Sequence, residues 1–386
     1  MKNHFDAIVV GAGYIGSSVA YHLSKAGLKT AILDQGPIAA GASRANYGNI
    51  QVQDLELEHS VTMIRQAQRH IETLEEELDW NLGLRKLGGL LPIENENQWN
   101  ILSAREKSLQ SIGIQASMIT ASQLQEVEPT IDPTNLLGGL YHSDEGQLDP
   151  FQLIFAYLTR ARAFGLQEFY HTQVIGFEVE HSRIKSLKTP NQNFSAEFIV
   201  LCTGAQTAML GRKLGCDWNA IHYVLGQAMV TEPLPIQMRN HLASASFFEM
   251  GADIPAGVLL ANMAISQSTH GNLLLGESMF EADHFDKNLP YQALPSISRS
   301  VLKYFPAFRN LRILRGWSAA IADTRDGLPL FGPVESIKGL YMATAFRSTV
   351  IVTPLAGKTI TQLITTGQSE LDIQAFLPER NAYVSH

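Results

Sequence analysis

The chain opens on a short apolar run, Phe5 to Val10, cut off at once by glycine. A run that short, bounded by glycine, predicts a strand buried on both faces. Beyond the glycines, Ile15, Val19 and Leu23 recur at four-residue spacing, which predicts the apolar face of a helix. Gly27 ends that helix, and "TAIL" reads as a second strand closed by Asp34. Val61, Ile64, Ile71, Leu74 and Leu78 fall near one face of a further helix, with Glu75-Glu76-Glu77 as its solvated end. "RKLGGLLPI" and "VLGQAMVTEP" read as strands of a second sheet, "TPNQNFSAE" as a turn between strands, and "TEPLPIQMRN" as a proline-broken loop. "FIVLCTGAQT" (Phe198 to Thr207) is another buried strand. "LYMATAFRSTVIVTP" (Leu340 to Pro354) reads as a strand, a sharp junction and an apolar helix start, with the single cation Arg347 at the junction. Ser348 and Thr349 are placed to cap that helix through their hydroxyls. No internal repeat or low-complexity segment interrupts the pattern.

Composition narrows the class. At roughly 150 residues per domain, 386 residues predict two or three domains. Apolar residues at 45% and charged residues at 17% give a large core and argue against disorder. The net charge of -8, with no block of Lys and Arg, disfavours a nucleic-acid or anionic-membrane partner. The two cysteines, Cys202 and Cys216, make no CxxC pair and no metal-ligand spacing, so they read as buried free thiols and no metal is expected. No apolar stretch reaches the roughly 18 residues of a membrane span. The first apolar run has no signal-peptide layout, so the expected location is cytoplasmic.

The glycines at the first strand–helix turn carry chemistry. Gly11, Gly13 and Gly16 form GxGxxG after a strand and before a helix. Gly11 makes the tight turn, Gly13 lets backbone approach a pyrophosphate, and Gly16 lets the helix pack on the strand. The helix start then offers N–H donors and a positive dipole end to phosphate. Asp34 follows Gly16 by 18 residues, near the place of an acid that binds a ribose hydroxyl. This spacing predicts a dinucleotide site and leaves NAD and FAD both open.

Further segments separate the two. "GPIAAGASRANYGNI" is long, small and Gly/Ala/Ser-rich; "FIVLCTGAQT" ends in Thr203-Gly204; "RDGLPLFGPVESIKGLYMATAF" leads into the Arg347 junction. With "EGQLDP", "LGQAMVTEP" and "GNLLLGES", these segments resemble the D-amino-acid oxidase-like flavoproteins, which include glycine and sarcosine oxidases and several amine dehydrogenases. The resemblance runs over most of the chain. It implies an α/β (α+β overall) architecture, in which a Rossmann-like FAD-binding domain is interleaved with a substrate domain built on a mostly antiparallel sheet. The FAD-binding parts would be 1–84, 145–222 and 317–386, and the substrate parts 85–144 and 223–316. The cofactor implied is FAD, held non-covalently, since no cysteine follows Cys216 to link it. Its implied contacts are Gly11, Ala12, Gly13, Tyr14, Ile15 and Gly16, then Asp34 and Gln35, then Gly41, Ala42, Ser43, Asn46, Tyr47, Gly48 and Asn49. Val174, Thr203, Gly204, Trp317, Arg347, Ser348, Thr349 and Val350 complete the set. For Trp317 a core role and a cofactor contact stand equal.

The resemblance implies oxidation of a carbon–nitrogen bond. A hydride leaves the carbon beside the amine for flavin N5, and water hydrolyses the imine. The protein's part is to bind, orient and tune. Catalytic candidates are Arg347, Tyr223 and Phe248. Tyr223, Gln227 and Phe248 either line the pocket or simply pack the sheet. Glycine-oxidase-like members carry a carboxylate-binding arginine before "DG"; here "GWSAAIADTRDG" puts Ile321 in its place, and Arg325 reads as a surface residue. Arg347 is the remaining clamp, by residue-to-residue match at the junction, and an arginine fork fits a carboxylate. The alternative is that it pairs with a protein carboxylate. His270 reads as exposed. The "FRST" junction is most similar to the beta subunits of opine oxidases and D-hydroxyproline dehydrogenases. That implies a secondary or N-substituted amino-acid substrate (opine, hydroxyproline, proline or sarcosine type) and partner subunits that accept electrons through FMN or an iron–sulfur cluster. Two other readings stay open: a stand-alone oxidase making hydrogen peroxide, and an electron-relay subunit without its own substrate.

Overall fold

A computed structural model describes residues 4–52, 56–216, 218, 221–249, 258–282 and 291–380. In chain order, the elements that build the site are β1 (His4–Val10), α1 (Tyr14–Lys25), β2 (Thr30–Leu33), α2 (Leu57–Glu72), α3 (Leu74–Leu78), β3 (Asn193–Leu201), β4 (Ile221–Pro233), β5 (Ile313–Thr324), β6 (Leu330–Pro333), β7 (Leu340–Thr344) and α4 (Thr349–Thr366).

The first sheet has β1 at its centre, parallel to β2 on one side and to β3 on the other. The far edge of β3 is shared: its start pairs with Arg183–Lys188 and its end runs parallel to β7. The apolar run of β1 is buried along Ala7–Val10, as a strand covered on both faces must be. One face is covered by α1, which α4 and the helix Pro150–Ala163 cover in turn. This double cover buries Ile15, Val19 and Leu23 together with Ser17, Ser18 and His22. Each fully buried Leu or Val side chain contributes about 1.5–3 kcal/mol. The α1–α4 contact is close because Gly357 has no side chain: a Cβ there would lie 2.3 Å from Ser18 Oγ and 2.6 Å from His22 Cδ2.

The second sheet has eight strands and is mostly antiparallel, with β5 at one edge and β4 next to it. Three short strands, Asn49–Ile50, Gly146–Gln147 and Arg85–Lys86, form a separate sheet. The α/β architecture with two principal sheets is the one the sequence predicts. The position 316/317 falls inside β5, which pairs with β4 on both sides of it. Among the described residues no helix is long and apolar enough to cross a membrane, and no His/Cys/Asp/Glu group could hold a metal.

Three expectations are corrected. The pattern from Val61 to Leu78 is two helices, α2 and α3, because the chain turns at Thr73. The run Glu75-Glu76-Glu77 is more than a solvated end. Glu75 accepts from the N–H groups of Leu82 and Leu84, and Glu77 pairs with Lys25 at 3.4 Å and Lys358 at 3.3 Å. These bonds tie α3 to the following loop, to α1 and to α4. Cys202 and Cys216 are free thiols but only partly buried by area. Burial still pushes the Cys202 thiol far above its ordinary range.

Candidate active site and cofactor cradle

Strands β1, β3 and β7 run parallel and side by side, so their carboxyl ends open on one edge of the sheet. α1 starts just after β1, and α4 starts just after β7. Two helix N-termini therefore flank the end of β3. Neither is capped by its own N-cap side chain: the α1 N-cap is Gly13, and the Ser348 side chain makes no capping bond at α4. The hydroxyl capping expected at α4 does not occur. Thr349 Oγ1 instead donates back to the Phe346 carbonyl at 2.9 Å. The junction is shaped by backbone: Ala345 (φ 59°) and Ser348 (φ 46°) both lie in the left-handed region that non-glycine residues seldom adopt.

The GxGxxG turn is built for close approach. Gly11 has φ +107°, and a Cβ there would lie 2.3 Å from the Cys202 carbonyl oxygen. A Cβ on Gly16 would lie 1.8 Å from the Gly11 carbonyl oxygen. Asp34, at the end of β2, accepts from Ala12 N at 2.7 Å and Gly36 N at 2.8 Å. Burial raises the pKa of its carboxyl, against those two N–H groups, which favour the charged form. Gln35 is exposed beside it.

The segment 41–49 passes in front of this turn. Ala42–Ala45 is a short 3-10 helix, and Ser43 Oγ accepts from Tyr14 N at 3.2 Å. Asn46 Oδ1 accepts from Gly48 N at 2.7 Å, and Asn49 Oδ1 accepts from Ser266 Oγ at 2.9 Å. Burial, and then Glu277, push the Tyr47 hydroxyl well above its ordinary pKa. A Cβ on Gly276 would lie 2.0 Å from the Tyr47 hydroxyl, so this ring reaches the second sheet only because residue 276 is glycine. Trp317, on β5, donates its indole N–H to the Ala45 carbonyl at 3.3 Å. At the end of β3, the Thr203 and Thr207 hydroxyls meet at 2.8 Å, and Thr207 reaches Thr344 at 3.3 Å. Val350 is buried in the core beneath the α4 start, and Val174 is buried in the core on the other face of the first sheet.

Arg347 is held by Asp323 on β5: Nε donates at 3.1 Å and Nη2 at 2.9 Å. His222 Nε2 stands 3.7 Å from the same carboxylate. Asp323 was not singled out from sequence. Strand alternation could have found it, because residues two apart share a face and Asp323 is two residues from Ile321. Ile321 is exposed, and so are Arg325 and His270, the latter two as expected. Tyr223 is half-buried on β4, and burial raises its pKa. Phe248 is half-buried in the helix Ser246–Glu249, with the Arg105 guanidinium 5.0 Å from its ring.

The donor set fits a dinucleotide. A glycine cradle that a Cβ would fill, two helix starts and an acid at the end of β2 converge at the carboxyl edge of a parallel sheet, where such ligands bind. This arrangement defines a dinucleotide-binding protein. The chain belongs to the D-amino-acid oxidase-like (DAO) family of FAD-dependent oxidoreductases, whose family model matches residues 6–363. It is an enzyme that uses FAD. The chain is 25% identical to glycine oxidase of Geobacillus kaustophilus over 384 residues, covering 97% of each chain. It is 23% identical to sarcosine oxidase subunit beta of an Arthrobacter species, covering 98% of this chain and 91% of that one. The solved structure of the Geobacillus kaustophilus glycine oxidase superposes with a TM-score of 0.88 at 22% identity, covering 98% of this chain and 99% of the other. L-proline dehydrogenase from P. horikoshii gives 0.87 at 22% identity, covering 98% of each chain.

Proposed function

We propose that this enzyme oxidises the C–N bond of a secondary or N-substituted amino acid of the opine, hydroxyproline, proline or sarcosine type. The observation that carries the reading is the Arg347–Asp323 pair at the start of α4, where opposite charges stand side by side and complement the ammonium and carboxylate of one amino acid. Similarity to proteins named glycine oxidase, sarcosine oxidase subunit beta and L-proline dehydrogenase supports the substrate class.

Bound FAD, held without a covalent link, supplies the acceptor for the hydride that leaves the carbon beside the amine. Residues 11–16, Asp34, Ser43 and the α4 start would hold it. Arg347 would orient the substrate carboxylate by exchanging part of its pairing with Asp323, which takes its Nε and Nη2 in this structure. The α4 start adds N–H groups and a positive dipole end that favour negative charge in front of it. Ile321 presents an apolar side chain on the same strand, which suits a substrate carrying an alkyl group on its nitrogen. We further read the chain as the catalytic subunit of a hetero-oligomer that passes electrons to partner subunits.

Anaerobic addition of sarcosine, proline, 4-hydroxyproline or an opine to the FAD-loaded protein should bleach the flavin band. If none does, the substrate reading is wrong. Steady peroxide formation by the purified chain in air would replace the hetero-oligomer with a stand-alone oxidase. A bleaching rate untouched by Arg347→Ala would remove Arg347 as the clamp.

A further inference from the structure

The end of β5 and the turn that follows it each carry an acid, and each acid is gripped by an arginine from a different part of the chain. Asp323 holds Arg347. Asp326 is held by Arg380, near the end of the described chain: Nε donates to Oδ2 at 2.9 Å and Nη2 to Oδ1 at 3.0 Å. Arg380 does more than pair. Nη2 also donates to the Leu328 carbonyl at 3.0 Å and Nη1 to the Pro329 carbonyl at 2.9 Å. Nη1 reaches back to its own segment at the Phe376 and Leu377 carbonyls, at 3.2 and 3.1 Å. The side chain is only 10% exposed.

The neighbouring residue grips the other end of β6. Glu379 accepts from Ser336 N at 3.1 Å and from the Ser336 hydroxyl, in the turn that leads to β7. Glu379 and Arg380 thus brace the turns on both sides of β6, which pairs antiparallel with β7, the strand that leads into the Arg347 junction. The first turn is also where Arg347 rests. Gly327 has φ +71°, and a Cβ there would lie 3.0 Å from Arg347 Nη1. Within that turn, Thr324 Oγ1 donates to the Leu328 carbonyl at 2.7 Å and Gly327 N to the Thr324 carbonyl at 3.0 Å. The path runs from Arg380 through Asp326 and the Leu328 carbonyl to the floor beneath the guanidinium.

We propose that Arg380 is a positioning residue for Arg347. From the C-terminal segment it fixes the turn 324–329, and through that turn it sets where the Arg347 fork stands. The consequence for substrate binding rests on the reading of Arg347 as the clamp; the mechanical coupling does not.

The test uses the FAD-loaded full chain. Hydrogen exchange measured by mass spectrometry on Arg380→Ala should show amides in 324–329 and in 345–349 exchanging about tenfold faster, with α1 unchanged. Faster exchange confined to 370–380 overturns the proposal. Where sarcosine or proline bleaches the flavin, Arg380→Ala should raise KM about tenfold with kcat nearly unchanged, the mark of lost uniform binding. In an Arg347→Ala background the same change should add nothing, since residues acting through one another are not additive. An additive loss means Arg380 serves general stability and sinks the proposal. Arg347→Ala raising KM while Arg380→Ala does not also sinks it and leaves the substrate reading intact. Faster exchange at 345–349 with no KM effect of Arg347→Ala removes the clamp and leaves the positioning standing. Should Arg380→Ala fail to fold, Arg380→Lys keeps the charge but lacks the fork, and it must show the same exchange pattern in weaker form.

Discussion

Gly16→Ala tests the cofactor cradle with a single methyl group. The added Cβ would sit 1.8 Å from the Gly11 carbonyl oxygen, with Cys202 Cβ at 3.3 Å on the other side. Nonbonded heavy atoms rest at roughly 3.5 Å, so the start of α1 must retreat by about 1.7 Å. That shift carries the first N–H groups of the helix beyond hydrogen-bond reach of anything the turn was holding. Each such bond to a charged oxygen contributes about 1.5–3 kcal/mol, and losing two costs roughly 3–6 kcal/mol of binding. FAD affinity should fall by about a hundredfold to ten-thousandfold. The assay is titration of apoprotein with FAD, followed by flavin fluorescence, with far-UV circular dichroism to confirm that the chain still folds. A folded Gly16→Ala protein that binds FAD within about threefold of the parent would refute the argument that this contact sets the helix position.

Other predictions concern separate parts of the molecule. Burial lowers the His22 pKa to about 3 from its ordinary 6.5, against the attraction of Glu77. Below 6.5 the unfolded chain takes a proton that the folded one refuses, so stability falls as pH drops toward 3, by about 1.4 kcal/mol per unit. His22→Leu should flatten the slope of melting temperature against pH in that window, and an unchanged slope would assign the acid sensitivity elsewhere. Asp323→Asn keeps the shape of the pair but removes its charge. We expect KM for the amino-acid substrate to shift by about tenfold while FAD binding stays put. A weaker flavin complex would place Asp323 in the cofactor site instead. Trp317→Phe deletes the indole bond to Ala45 and should weaken FAD binding by about threefold to tenfold, as one neutral hydrogen bond would. An unchanged Kd makes Trp317 a packing residue.

The sequence made the cradle legible because its requirements are local. A strand, three glycines and an acid at fixed spacing leave little choice of geometry, and Gly11, Gly16 and Asp34 stand where the spacing puts them. The helix break at Thr73 was hidden because Leu74 and Leu78 continue the apolar spacing; a period reports which face is buried but not where the axis bends. The role of Glu75 and Glu77 was hidden for another reason. Glu75 bonds the loop just after it, at Leu82 and Leu84, but Glu77 finds Lys25 and Lys358 in distant parts of the chain, and a charge run carries no mark of what will be folded over it. The α4 start shows the same limit. Ser348 and Thr349 are good capping residues, yet the left-handed backbone at Ser348 turns the hydroxyl logic off. Asp323 was readable in principle from strand alternation beside Ile321, but nothing local says that Arg347 is the residue it meets.

The pairing of β1 with β3, and of α1 with α4, has a consequence for how the protein is made. The first strand waits for a neighbour that begins near residue 193, and the cradle gains its second helix only when residue 349 has been synthesised. Until then the early strands present open edges, and contacts of such long sequence separation form slowly. FAD touching both ends of the chain would bind only the closed arrangement and so lock it by mass action. The cofactor would thus act as a late fastener in biogenesis, and flavin supply during synthesis should raise the yield of folded chain.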